Sequence, residues 1–190
     1  MTPHAARATQ ALFEEHGAAV YRFAVALLRH HQDAEDVLQE TFLKLLQHLQ
    51  RDGSAENLRG WIFTVAAHAA CDRQRRRARW QPWTPFHDAG VEPPPLEDED
   101  GRLRTVREVL RRLRPRDRLL LALRAQGLSY RDIAAASGIR PSSVGRLLAR
   151  AVDRWRAEHE SVEIAAGSTR SEGVGSYEMS QRSQDSGGRR

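Results

Sequence analysis

The sequence predicts an all-α fold of two small helical domains joined by a flexible, acidic, proline-rich linker, the second domain containing a helix-turn-helix. Three observations lead there. Apolar residues recur at helical spacing through residues 9–79 and again through 102–158, with no strand-period alternation. Between these stretches Pro82, Pro85, Pro93, Pro94 and Pro95 interrupt regular structure, and Asp88, Glu92, Glu97, Asp98, Glu99 and Asp100 make the segment acidic. Residues 128–156 carry the punctuation of two short helices about a tight turn.

Residues 9–30 read as an amphipathic helix with Leu12, His16, Val20, Phe23 and Leu27 on one side. A polar turn, His30 to Gln32, ends it. Asp33 then serves as the expected N-cap of a helix through Leu49, with Glu35 and Asp36 in its positive first turn. Leu38, Phe42, Leu45 and Leu49 form its apolar stripe. The opposite face holds Asp36, Gln39, Glu40, Leu43 and Gln47, a polar surface interrupted by one leucine. Those residues suit either a solvated face or a docking surface for a protein partner.

Residues 51–60 are a loop of small and polar residues leading into a helix from Trp61 to Arg79. At about 100° per residue, Trp61, Ile62, Val65, Ala66 and Ala69 fall on one packing stripe, while Thr64, His68 and Arg75 line its edge. Arg73, Arg75, Arg76, Arg77 and Arg79 crowd the last turns, a density of guanidinium suited to phosphate contacts. A solvated basic face is the bland alternative. Residues 80–101 are the linker.

The second domain, 102–158, opens with a helix marked by Leu103, Val106, Leu110 and Leu113, and Pro115 starts another that runs to Gly127. Ser129 caps a short helix with Asp132 at the capping-box position, and Ile133 and Ala134 face inward. Gly138 stands where the turn needs positive φ, and Pro141 fits the first turn of the next helix. There Val144, Leu147, Leu148, Ala151 and Trp155 share one face, while Ser142, Arg146, Arg150 and Asp153 share the other. One side can pack and the other can read a DNA groove. The polar tail, 159–190, is expected to be disordered.

Composition narrows the function. The 190 residues carry a net charge of +5, and a pI near 10.2 favours a polyanionic partner. Cys71 is the single cysteine, so no internal disulfide or multi-cysteine zinc site can form. Flanking Arg73 and Arg75 could lower its thiol pKa, yet it reads as a plain helix residue. No hydrophobic signal region or apolar run of spanning length is present, so a cytoplasmic protein without membrane insertion is expected. His30, His31, Asp33, Glu35 and Asp36 superficially suggest a metal-dependent hydrolase. Adjacent histidines diverge on any regular element, however, and the acids suit a helix start. No enzyme activity, metal or cofactor is expected. A stand-alone helix-turn-helix regulator would account for residues 102–158 but leaves the first domain unexplained.

Taken together, the chain resembles the extracytoplasmic-function (ECF) group of bacterial RNA polymerase sigma factors over roughly residues 9–158. DAEDVLQETFLKLLQHL and RGWIFTVAAHAACDRQRRR resemble conserved region two, and LRPRDRLLLALRAQGLSYRDIAAASGIRPSSVGRLLARA resembles region four. The resemblance implies a non-catalytic factor that binds core polymerase, brings it to a promoter and opens the duplex. Asp36, Gln39, Glu40, Leu43, Lys44 and Gln47 would dock on the clamp helices of the beta-prime subunit, with the beta flap a further contact. Asn57, Arg59, Trp61, Thr64, His68, Arg73, Arg75, Arg76 and Arg77 would hold the melted minus-ten strand. Arg140, Ser142, Ser143 and Arg146 would meet base edges of the minus-thirty-five element, with Arg131 and Arg150 on phosphates. An anti-sigma factor is a further implied partner. Two departures stand out: His68 replaces a common asparagine, and Gly145 and Leu147 occupy positions often basic.

Overall fold

The computed structural model describes residues 3–51, 57–80 and 101–181, and every element within them is an α-helix. The first, α1 (Pro3–Leu28), starts earlier than its apolar period suggests. Pro3 suits a first turn, alanines favour helix, and Ala5 is buried. Arg29 then turns the chain with φ of 54°. The cap of α2 (His31–Gln50) is His30, whose Nδ1 accepts the Asp33 N–H at 3.2 Å. Asp33 therefore lies inside the first turn and is not the N-cap: an extended His30 ring fills the role usually taken by a short polar side chain. Ala34, Val37, Thr41, Phe42 and Leu45 are the buried residues of α2, and the Thr41 hydroxyl donates to the Val37 carbonyl at 2.7 Å.

Helix α3 (Leu58–Trp80) begins three residues before Trp61, because the Asn57 side-chain oxygen accepts the Gly60 N–H at 2.8 Å and caps it. Its buried set is Ile62, Phe63, Ala66, Ala67, Ala69 and Ala70, broader than one stripe, with Trp61 and Val65 only half-buried. The reason is packing against three helices, α1, α2 and α6. Phe63 meets Phe23 edge to face, ring centroids 5.5 Å apart.

The second half comprises α4 (Gly101–Arg112), α5 (Pro115–Ala125), α6 (Tyr130–Ser137) and α7 (Pro141–Gln181). Ser129 and Asp132 form the expected capping box, and Gly138 closes α6 at φ 66°. Pro141 is the first residue of α7. That helix runs past residue 158 to Gln181. Packing on α4 explains its first part: Val162 is buried, and Arg112 lies 3.9 Å from Glu158 and 3.4 Å from the Ser161 hydroxyl. Residues 182–190 and the linker residues 81–100 lie outside the described residues.

Both halves contribute to one continuous core, from Val20 and Phe23 of α1 through Phe63 of α3 to Leu120, Ile133 and Val144. Arg118 of α5 fastens them. It is 7% exposed, and its guanidinium donates to the carbonyls of Leu27 at 3.3 Å, Leu113 at 3.0 Å and Arg111 at 3.4 Å. Desolvation, with the charge of Arg29 adding to it, pulls its pKa down to about 10. The helix C-terminal carbonyls of α1 and α4 thus hold a cation where the helix dipoles favour one.

Candidate functional site

Three surfaces gather the residues singled out in the sequence. The first is a shallow groove on α2 lined by Asp36, Gln39, Glu40, Leu43, Lys44 and Gln47 together with Arg73 of α3. Leu43 is 59% exposed, so it contributes nothing to the core. Glu40 accepts from Lys44 Nζ at 2.7 Å and from Arg73 at 2.8 Å, and Arg73 lies 3.8 Å from Asp36. Hydrogen bonds from Lys44, then Arg73, hold the Glu40 carboxyl below its usual pKa. Arg73 is therefore a wall of the α2 groove. Its neighbour Arg77 is likewise committed to α2, 3.0 Å from Asp33. Those cross-helix partners, 33 and 44 residues away, left no local sequence signal.

The second surface is the outer line of α3. Trp61 stacks on the His48 ring at 4.7 Å and 18°, and the Thr64 hydroxyl donates to the Gly60 carbonyl at 2.8 Å. His68, Arg75, Arg76 and Arg79 are exposed along the same helix. His68 is thus solvent-facing and not a buried structural histidine. Arg75 pairs with Asp72 at 3.3 Å on the exposed surface, a contact that screening leaves weak. At the head of α3, Asn57 and Arg59 turn away toward the second half. The Asn57 amide donates to both oxygens of Asp132 at 3.0 Å, and Arg59 donates to the Gln126 carbonyl at 2.6 Å.

The third surface is the open side of α7. Ser142, Arg146 and Arg150 are exposed above the buried Val144, Leu148 and Ala151, while Ser143 is half-buried and its N–H bonds the Arg140 carbonyl at 2.9 Å. Arg131 and Arg140 are exposed at the start of α6 and before α7. Gly145 now has a structural context. A Cβ there would stand 3.4 Å from the Tyr130 ring, itself 51% exposed beside α7. Sequence reasoning missed Tyr130, since only the packing of α6 on α7 brings it to this face.

The histidine-rich turn is structural. His31 Nδ1 meets the Tyr21 hydroxyl at 2.5 Å, His30 caps α2, and Asp33 faces Arg77. Among the described residues no three His, Cys, Asp or Glu side chains come together as a metal site. Burial pushes the Cys71 thiol up, outweighing the charge of Arg75. No helix of the described residues is long and apolar enough to cross a membrane.

The architecture is that of a two-part sigma factor, and comparison with known proteins agrees. Residues 12–80 match the family Sigma-70 region 2, and residues 103–154 match Sigma-70, region 4. The ECF RNA polymerase sigma factor SigC of Mycobacterium tuberculosis is 31% identical over 162 residues, covering 81% of this chain and 84% of that protein. SigL of the same species is 42% identical over 73 residues, 38% of this chain, and the match spans 41% of SigL's length. The sigma factor RpoE of Bartonella quintana, solved in complex with the anti-sigma factor NepR, shares the fold with a TM-score of 0.62 at 23% identity over 80% of this chain and 96% of that one. CnrH, solved with the cytosolic domain of CnrY, gives 0.58 at 25% identity over 82% and 89%. The chain belongs to the ECF sigma factor family.

Proposed function

We propose that this chain binds core RNA polymerase, directs it to promoters with its own minus-ten and minus-thirty-five preferences, and melts the minus-ten element without catalysing a reaction itself. The observation that carries this reading is the segregation of three surfaces. An exposed leucine in a charged groove on α2 suits a protein partner, since an isolated apolar side chain ringed by polar groups gains most when a partner dries it. The outer line of α3 offers an aromatic, an imidazole and exposed guanidinium groups, the chemistry that holds unstacked bases and backbone. The open side of α7 is a groove-reading face.

Arg73 and Arg77 move, on this reading, from the strand-binding set to the support of α2, leaving Trp61, Thr64, His68, Arg75 and Arg76 for single-stranded DNA. Arg140, Ser142, Ser143 and Arg146 serve base edges, and Arg131 and Arg150 serve the flanking backbone. Opening the duplex is driven by binding energy: capture of an unstacked base offsets the few kcal/mol that unstacking costs. An anti-sigma factor would act by covering one of these surfaces, and the cytoplasm is the compartment where polymerase is met. The test is reconstituted run-off transcription with core polymerase on genomic fragments. Discrete start sites that require the protein are expected; transcripts unchanged by its addition would overturn the reading.

A further inference from the structure

We infer that Tyr130, the first residue of α6, is a DNA contact: its ring is seated on Gly145 of α7, and its hydroxyl donates to a phosphate oxygen at the edge of the minus-thirty-five groove. This rests on the groove-reading role of α7 given above. Tyr130 follows the Ser129 N-cap directly, and α6 packs on α7. That packing brings the ring to the fifth residue of α7, where a Cβ on Gly145 would meet Tyr130 Cε2 at 3.4 Å, an ordinary van der Waals contact. Cε2 is bonded to the ring carbon that carries the hydroxyl. The polar end of the ring therefore stands level with Gly145, in the space that any side chain longer than alanine would have to share.

Core packing does not account for this residue. Half of Tyr130 is open to solvent, and among the described residues its hydroxyl makes no hydrogen bond. A phenol can donate one, and a phosphate oxygen is an acceptor that tyrosine commonly meets on DNA. The surroundings suit that acceptor. Arg131, next in sequence, is exposed, as are Ser142, one turn before Gly145, and Arg146, directly after it. The acid on the same turn, Asp132, is already engaged: its carboxylate accepts from the Ser129 hydroxyl at 2.6 Å and from the Asn57 amide at 3.0 Å. Gly145 brings no side chain to the α7 face, so the group that fills this stretch comes from α6. A neutral hydroxyl on a rigid ring adds a hydrogen bond and no charge, which distinguishes its signature from that of a neighbouring arginine.

Competition binding of the complex with core polymerase to a double-stranded promoter fragment mapped by run-off transcription tests this. Tyr130→Phe keeps the ring and removes only the hydroxyl. It should retain wild-type helicity and Tm and weaken binding about tenfold, the weight of one hydrogen bond to a charged acceptor. The loss should be equal on the preferred minus-thirty-five sequence and on base-substituted versions of it. Because a hydroxyl releases no counterion, the slope of log affinity against log salt should stay as in wild type, whereas Arg150→Ala flattens it. Wild-type affinity in Tyr130→Phe overturns the proposal; so does a loss confined to one base pair, which marks a base-edge contact. Gly145→Leu should displace the ring, with a loss that matches that of Tyr130→Phe and adds little to it in the double variant. Fully additive losses overturn the seating of the ring on Gly145. A tyrosine that only packs gives a different pattern, in which Tyr130→Ala lowers Tm and Tyr130→Phe binds normally. Specific duplex binding without polymerase would sink the sigma-factor reading, and the same variants measured on the free chain would still decide the phosphate contact. No duplex binding in either setting overturns both.

Discussion

Replacing Leu43 with glutamate separates docking from folding. Burying a whole leucine side chain is worth about 1.5–3 kcal/mol, and Leu43 is 59% exposed, so a partner that covers the remainder would gain roughly 1–2 kcal/mol from it. Glutamate forfeits that gain and adds a carboxylate to a groove already lined by Asp36 and Glu40. The expected loss is about 2 kcal/mol or more, a rise of roughly 30-fold in the Kd for core polymerase. Stability should barely move, since an exposed substitution away from caps and networks stays within about 0.5 kcal/mol, less than about 2 °C in Tm for a chain of this size. Fluorescence anisotropy with labelled protein gives the affinity, and circular dichroism gives helicity and Tm. Loss of helicity, or a Tm lowered by about 5 °C or more, would place Leu43 in the fold. Unchanged affinity in a stable variant would remove the α2 groove from the polymerase interface.

Other perturbations address the DNA surfaces and the fold. Arg146→Ala should cost about 1–3 kcal/mol on the preferred minus-thirty-five sequence and relax one base preference. Arg150→Ala should weaken all sequences alike and flatten the salt dependence, as competition binding at several salt concentrations would show. His68→Ala should leave Tm and polymerase affinity intact but slow open-complex formation on duplex promoters, with most of the defect relieved on premelted templates; equal impairment on both would exclude His68 from strand capture. Glu108, hydrogen-bonded by Arg111 and Arg112, has its carboxyl pKa lowered from 4.5 to about 2. A folded pKa below the unfolded one means stabilisation that is complete above about pH 4.5 and lost as the pH falls toward 2. Acid unfolding of Glu108→Gln should therefore show a shallower loss of stability across that window than wild type.

What could be read in the sequence was local. The Ser129–Asp132 capping box, the positive φ of Gly138 and Pro141 at the start of α7 each follow from chemistry within a few residues, and each is present. The leucine on the polar face of α2 was legible for the same reason: the helical period fixes which way Leu43 points. What escaped depends on tertiary partners. His30 caps α2 through a ring that the usual cap preferences do not include. Phe63, Ala67 and Ala70 are buried because α3 packs against α1, α2 and α6 at once, which no one-stripe pattern anticipates. Arg73 and Arg77 lie within an arginine run that composition assigns to phosphate, yet carboxylates on α2 hold them. Residues just past 158 are helical through packing on α4, although their composition is that of a tail. The Asn57–Asp132 contact, 75 residues apart in sequence, has no local signature at all.

The central claim is that promoter recognition belongs to the complex with polymerase and not to this chain alone. The most direct measurement is equilibrium binding of the purified protein to a double-stranded promoter identified by run-off transcription, with and without core polymerase, at fixed salt. The placement of the two DNA-reading surfaces on separate helices, α3 and α7, predicts weak, sequence-indifferent binding by the free protein and tight, sequence-specific binding once polymerase is added. Nanomolar, sequence-specific duplex binding by the protein alone, unchanged by polymerase, would contradict the account and favour a stand-alone helix-turn-helix regulator.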